Sequence, residues 1–234
     1  KREEVFGKAD VIPMWIADMD FSTPPFVIEA LRERLNHEIL GYSYRPDSYF
    51  DAIINWVSAL HGWDIRQEWI EFSPGVVPAL NICTLAYTSP GDEIIIQPPV
   101  YPPFYGAVND HGRRLVFNPL LETDNGYFMD FEGLRKIITP KTRMLILSNP
   151  HNPVGRVWTR DELSELAEIC NQKGIVILSD EIHSDLLLPG MKHVPLASVS
   201  GKAAAITVTC MAPSKTFNLA GLSTSSIIIP DPGL

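Results

Sequence analysis

Short apolar runs of strand length alternate along the chain with segments whose apolar residues recur every three or four positions. The runs Glu93–Gln97, Arg114–Asn118, Arg143–Ser148, Ile175–Ser179, Ala205–Cys210 and Ser226–Ile229, with a shorter one at Trp69–Phe72, predict strands. Several are apolar throughout, the pattern of strands covered on both faces. The clearest helix is Arg160–Lys173. Thr159 and Glu162 make a T-x-x-E box at its start, Leu163, Leu166, Ala167 and Cys170 share a face, and Gly174 stops it. A second helix is predicted from Pro24 to Ile39 with Ile28, Leu31, Leu35 and Ile39 inward, and a third over Tyr49–Leu60, ending at Gly62. Strand–helix alternation without an internal repeat predicts an α/β domain with a mostly parallel sheet. In such sheets the ligand sits at the carboxyl ends of the strands.

The 234 residues are 45% hydrophobic and 20% charged, enough for a real core and outside the range of disordered chains. A net charge of −9 argues against nucleic acid as a partner, because phosphate binding needs a basic surface. The longest uncharged stretches, Phe72–Gly91 and Thr216–Pro230, are interrupted by Pro, Gly and small polar residues, so no membrane span is expected. No signal peptide is visible, and the first residue is Lys1, so the numbering is expected to describe a piece of a longer chain. Cys83, Cys170 and Cys210 are scattered, with no C-x-x-C pair, and are expected to be free buried thiols in a cytoplasmic protein, not zinc ligands or disulfides.

Candidate chemistry falls at the strand ends. Lys215 is the only charged residue between Ala203 and Pro230. An ordinary lysine is a free amine in roughly one molecule in 2500 at pH 7. Uncharged, poorly solvated surroundings favour that neutral form, the state needed for Schiff-base chemistry; the alternative is a surface lysine on a loop. Asp180 directly follows a buried strand, where an acid can ligate a metal, cap a helix or hold a cationic ring nitrogen. The stretch Asp180–Asp185 lacks the spacing of a metal motif. Asn149-Pro150-His151-Asn152-Pro153-Val154-Gly155 is a rigid turn after another strand. Ser73–Leu80 passes from a short strand into a helix, and free backbone N–H groups at a helix start bind phosphate, although no Gly-Lys-Ser/Thr follows as in a P-loop. In Pro98–Phe104 the prolines can hold Tyr101 as a flat wall for an aromatic ligand, or as core.

Together these pieces resemble the class I/II aminotransferase superfamily, the fold type I enzymes that use pyridoxal 5′-phosphate. Ser214-Lys215-Thr216-Phe217-Asn218 is similar to its cofactor-lysine motif, Asn149–Gly155 to its N-P-x-N-P-x-G loop, and Asp180 to its ring-nitrogen acid. More narrowly, Val11–Phe21, Ser179–Asp185 and Pro213–Gly221 resemble the cystathionine β-lyase, or cysteine C–S lyase, subgroup. The resemblance covers essentially the whole chain.

It implies a three-layer α/β fold around a mostly parallel seven-stranded sheet, with residues 41–234 forming the large cofactor-binding domain and residues 1–40 associating with a small domain. The rest of that small domain, at the C-terminal end of family members, is expected to be missing here. It also implies roles: Lys215 carries the cofactor covalently, Asp180 pairs with the ring nitrogen, Asn152 and His183 serve the ring, Tyr101 stacks on it, and Val76, Val77 and Ser214 take the phosphate. Tyr42 would reach the phosphate of a neighbouring subunit, making a homodimer with shared sites. Two departures stand out. His183 occupies a position where many aminotransferases have Tyr, as in the lyase subgroup, and Ser223 one where many have a phosphate-binding Arg. The arginine that binds the substrate carboxylate lies in the part expected to be missing. The implied activity is cleavage of cystathionine or related cysteine thioethers to a thiol, pyruvate and ammonia. Transamination on the same lysine and a non-catalytic cofactor-binding regulatory domain are the alternatives.

Overall fold

The computed structural model describes residues 2–12 and 17–234. The chain runs α1 (Arg2–Phe6), α2 (Pro25–Leu35), α3 (Asp47–His61), β1 (Ile70–Ser73), α4 (Val76–Tyr87), β2 (Glu93–Ile96), α5 (Pro103–Asn109) and β3 (Arg114–Phe117). It continues β4 (Leu121–Thr123), β5 (Gly126–Phe128), α6 (Phe131–Ile137), β6 (Thr142–Ser148), α7 (Arg160–Lys173), β7 (Val176–Asp180), α8 (Gly201–Ala204), β8 (Thr207–Met211), α9 (Pro213–Thr216) and β9 (Ser225–Ile228). All seven expected strands form one sheet, in the order β1-β9-β8-β7-β6-β2-β3. From β3 to β8 the pairing is parallel; β9 is antiparallel to both β8 and β1.

The continuous apolar strands follow from burial on both faces. Ile94, Ile96, Met144, Ile146 and Leu178 point into one cluster with Ala79, Leu80 and Cys83 of α4 and Phe104 of α5. Their alternates Ile95, Leu145, Leu147 and Ile177 point into another, with Leu134 of α6 and Leu163, Leu166, Ala167 and Cys170 of α7. A third cluster joins Val57 of α3 to Ile70, Met211 and Ile228, closing the antiparallel edge. The three cysteines are buried free thiols. Helix α7 carries both halves of the capping box at Thr159 and Glu162, and ends at Gly174 in the left-handed conformation (φ 64°). Helix α3 ends in the same way at Gly62.

Two local readings are corrected. The helix expected from Pro24 to Ile39 stops at Leu35, and none of its residues is buried; Leu35 is 61% and Ile39 70% exposed. Among the described residues its apolar stripe is only partly covered, with Ile28 half-buried and Phe26 edge-on to Phe217, so periodicity alone does not bury it. The hairpin β4–β5 was not expected. It is short and largely solvent-facing, so it lacks the apolar signal of the main strands, although Asp124-Asn125-Gly126 supplies turn chemistry and Gly126 the positive φ (110°). Residues 13–16, part of the Val11–Phe21 motif, lie outside the described residues.

Candidate active site

A cavity of about 510 Å³ opens at the carboxyl ends of the parallel strands. Lys215, Asp180, His183, Asn152, Tyr101, Val76, Val77 and Ser214 all line it, so residues from five separate segments meet at one cavity. Tyr42 does not: it is fully exposed on an extended stretch and makes no part of the cavity wall.

Each side chain is placed by the element it ends or begins. Asp180 is the last residue of β7 and only 6% exposed. Burial pushes its carboxyl from an ordinary 3.8 up to about 7; the Ile182 N–H, which donates to Oδ1 at 3.2 Å, and the Lys215 ammonium oppose the rise, while neighbouring Glu181 adds to it. A cation held against this carboxylate would restore its charge. His183 is shifted down by burial and then by Lys215, which favours the neutral imidazole.

Asn152 and Tyr101 sit on loops that brace one another. His151 is buried and neutral-leaning, because burial outweighs the carbonyls around it, and its Nε2–H donates to the Pro99 carbonyl at 3.0 Å. That bond ties the Asn149–Gly155 turn to the Pro98–Phe104 turn. Ser148 Oγ accepts from the Asn152 N–H at 3.0 Å, fixing the residue behind the strand. The Tyr101 ring packs edge-on against Phe104, with centroids 6.2 Å apart.

Helix α4 begins at Val76, and its first internal bond is Ala79 N–H to Gly75 carbonyl, 3.0 Å. The N–H groups of Val76 and Val77 therefore have no helical partner and lie at the cavity wall, a donor pair for an anion. Ser214, Ser223 and Thr224 add hydroxyls on the same wall. Ser223 takes a left-handed backbone (φ 49°) just before β9.

Lys215 lies on α9, one turn after β8. Its Nζ donates to the carbonyl of Ala17 at 2.7 Å. Sequence reasoning did not find this contact or the residue that arranges it. Asn218 adopts a left-handed conformation (φ 57°), accepts from Met19 N–H at 3.1 Å and donates to the carbonyls of Met19 (2.8 Å) and Phe21 (2.9 Å). It clips the segment around residues 17–23 over the lysine loop. The available signal was the type of residue, since Asn tolerates positive φ better than other side chains. Among the described residues no group of three or more His, Cys, Asp or Glu is placed to hold a metal ion, and no helix is long and apolar enough to cross a membrane.

The cavity at the strand ends is thus bounded by a lysine, a buried acid, a flat ring and a helix N-terminus. Residues 9–231 match the model of the family aminotransferase class I and II, and the chain belongs to that family. It is 53% identical over 232 residues to cystathionine beta-lyase PatB of Bacillus subtilis, covering 99% of this chain and 60% of PatB. Among solved structures, a pyridoxal-phosphate-bound protein of Clostridium difficile 630 assigned as an aminotransferase superposes with a TM-score of 0.94 at 47% identity, over 99% of this chain and 60% of that one. Cystalysin of Treponema denticola, which contains pyridoxal 5′-phosphate, gives 0.94 at 40% identity, over 97% and 58%. The chain thus spans about 60% of the length of these relatives.

Proposed function

We propose that this chain is the cofactor-binding part of a pyridoxal-phosphate-dependent C–S β-lyase that cleaves cystathionine or related cysteine thioethers to a thiol, pyruvate and ammonia. The observation that carries the reading is the convergence of Lys215, Asp180, Asn152 and Tyr101 with the α4 N-terminus on one cavity. The 53% identity to a cystathionine beta-lyase supports the choice of reaction.

The residues fit the group. The free N–H groups of Val76 and Val77, with the Ser214 hydroxyl, would take the phosphate. Tyr101 would lie against one face of the ring, and Asn152 would hydrogen-bond its oxygen, with His183 on the same cavity lining. Asp180 would be ionised beside the ring nitrogen and keep a proton there. When bound, pyridoxal phosphate supplies an electron sink for charge developing at the substrate Cα. Lys215 would hold the cofactor, and its free Nζ would remove the substrate Cα proton. The Ala17 carbonyl accepts from Nζ at 2.7 Å in this structure, and the lysine would have to leave it to hold the cofactor.

Residues 41–234 form the large domain on this reading, and residues 1–40, with the unpacked face of α2, associate with a small domain supplied by the longer protein. Tyr42 reaches the phosphate of a second subunit, so the assembly is a homodimer with shared sites, acting in the cytoplasm on an amino-acid substrate. Transamination is the second reading, favoured by the aminotransferase assigned from Clostridium difficile; it uses the same Lys215 to return the proton to the cofactor. Purified protein given pyridoxal phosphate and cystathionine separates the two: pyruvate release without keto-acid exchange supports the lyase, and exchange without pyruvate supports the aminotransferase.

A further inference from the structure

A string of polar side chains, exposed at Trp56 and half-buried at Thr216 but otherwise largely buried, runs outside the cavity. Asp185 accepts from three of them: Trp56 Nε1 at 3.0 Å and His61 Nε2 at 2.9 Å, both on α3, and Thr216 Oγ1 at 2.7 Å, on α9. His61 meets His193 edge-on, with ring centroids 5.1 Å apart. His193 Nε2 donates to Glu181 Oε2 at 2.7 Å, and Glu181 Oε1 also accepts from Ser179 Oγ and the Leu196 N–H. The side chains of Glu181 and His193 are fully buried, that of His61 is 4% exposed and that of Asp185 10%. The string therefore starts at the residue after Asp180 and ends at the residue after Lys215. Neither Glu181 nor Thr216 lines the cavity.

Helix α9 is four residues long and closes with one bond of its own kind, Phe217 N–H to Pro213 carbonyl at 2.9 Å. A single turn does not hold itself in water. What holds it is external: the Thr216 hydroxyl on Asp185, and the Phe217 ring against Trp56, with centroids 5.2 Å apart. Burial alone would raise the Asp185 carboxyl, yet the three donors outweigh burial and keep it below its ordinary value, so a charged acceptor faces Thr216.

We propose that Asp185 is a positioning residue for Lys215: through the Thr216 hydroxyl it fixes α9, so that Nζ stays aimed into the cavity. This rests on the cofactor role proposed for Lys215. Thr216→Val deletes the hydroxyl and nearly preserves shape; Thr216→Ser keeps the hydroxyl. In Asp185→Asn the amide oxygen still serves Thr216 and Trp56, and the amide nitrogen can donate to the other tautomer of His61.

The test uses the whole cofactor-loaded protein. Thr216→Val is expected to lower kcat by about 10- to 100-fold, the worth of one hydrogen bond to a charged group, with little change in KM. It also slows the fixing of pyridoxal phosphate onto Lys215 by borohydride, read from the mass of the labelled peptide. Thr216→Ser keeps both rates near wild type, and Asp185→Asn, which offers Thr216 a neutral acceptor in place of a charged one, falls between wild type and Thr216→Val. A Thr216→Val protein that melts earlier but keeps wild-type kcat and fixing rate overturns the positioning role and leaves the cofactor reading intact. Wild-type protein in which borohydride fixes nothing on Lys215 overturns both.

Discussion

Asp180→Asn has opposite consequences for stability and for chemistry, and both can be worked from the geometry. The carboxyl is 6% exposed and sits at about 7 in the folded, cofactor-free chain, against 3.8 ordinarily. Below pH 3.8 both folded and unfolded chains carry the proton, and the residue imposes no penalty. As pH rises from 3.8 to 7 the unfolded chain ionises first, so the unfolded state binds fewer protons and stability falls. At 1.36 kcal/mol per decade the full loss amounts to about 4 kcal/mol, an upper figure, because water entering the cavity softens the burial. Asn is neutral and nearly isosteric, and its oxygen can still accept from the Ile182 N–H. Cofactor-free Asp180→Asn should therefore be more stable than wild type at pH 8 by up to that amount, relative to their difference at pH 4. Urea unfolding of both proteins from pH 4 to 8 measures this, since other titrating groups cancel in the difference. On the proposed cofactor role the order reverses in function: the amide would not keep the ring nitrogen protonated, and deprotonation of substrate should fall by orders of magnitude. A wild-type-minus-mutant stability that stays flat from pH 4 to 8 would refute the burial argument for this carboxylate.

Lys215→Ala should abolish the yellow colour of the cofactor-loaded protein and all turnover; a mutant that borohydride still couples to pyridoxal phosphate would show that another amine carries it. Asn218→Gly keeps the left-handed backbone but removes three bonds to residues 19–21, and should expose the 17–23 segment to limited proteolysis while costing about 1–3 kcal/mol in urea unfolding. Unchanged cleavage would mean the clip is redundant. His193→Ala strands the fully buried Glu181 and should destabilise the fold by about 3–5 kcal/mol, with a smaller loss in the His193→Ala, Glu181→Gln double mutant.

The strands were legible because β2, β6, β7 and β8 are buried on both faces, and that leaves continuous apolar runs no other element needs. The cavity residues were legible for a related reason: polar residues such as Asp180 and Asn152 stand out where a buried strand ends. The stripe on α2 misled because amphipathic spacing states that a face can be buried, not that a partner layer is there. The hold of Asn218 on residues 19–21 was invisible because it joins segments nearly the whole chain apart and depends on one backbone dihedral. The polar string outside the cavity was hidden similarly, since His61, Asp185, His193 and Thr216 come together only through the packing of α3 against the sheet.

The position of β9 shapes how the chain folds. Among the sheet strands β1 is made first and β9 last, yet β9 lies between β1 and β8. Ile70 has Ile228 as its cross-strand neighbour, and Ile228 in turn faces Thr209. As the chain is synthesised, β2, β3, β6, β7 and β8 can zip in parallel while β1 waits with no strand beside it. Until Ser225–Ile228 emerges, both β8 and β1 offer bare backbone edges, the kind that pair with other chains. Insertion of β9 seals two edges at once and brings Ile228 to Val57 and Met211. The pairing of β1 with β9 is thus the most non-local one in the sheet, and a nascent chain that lacks β9 carries two edges open to other chains.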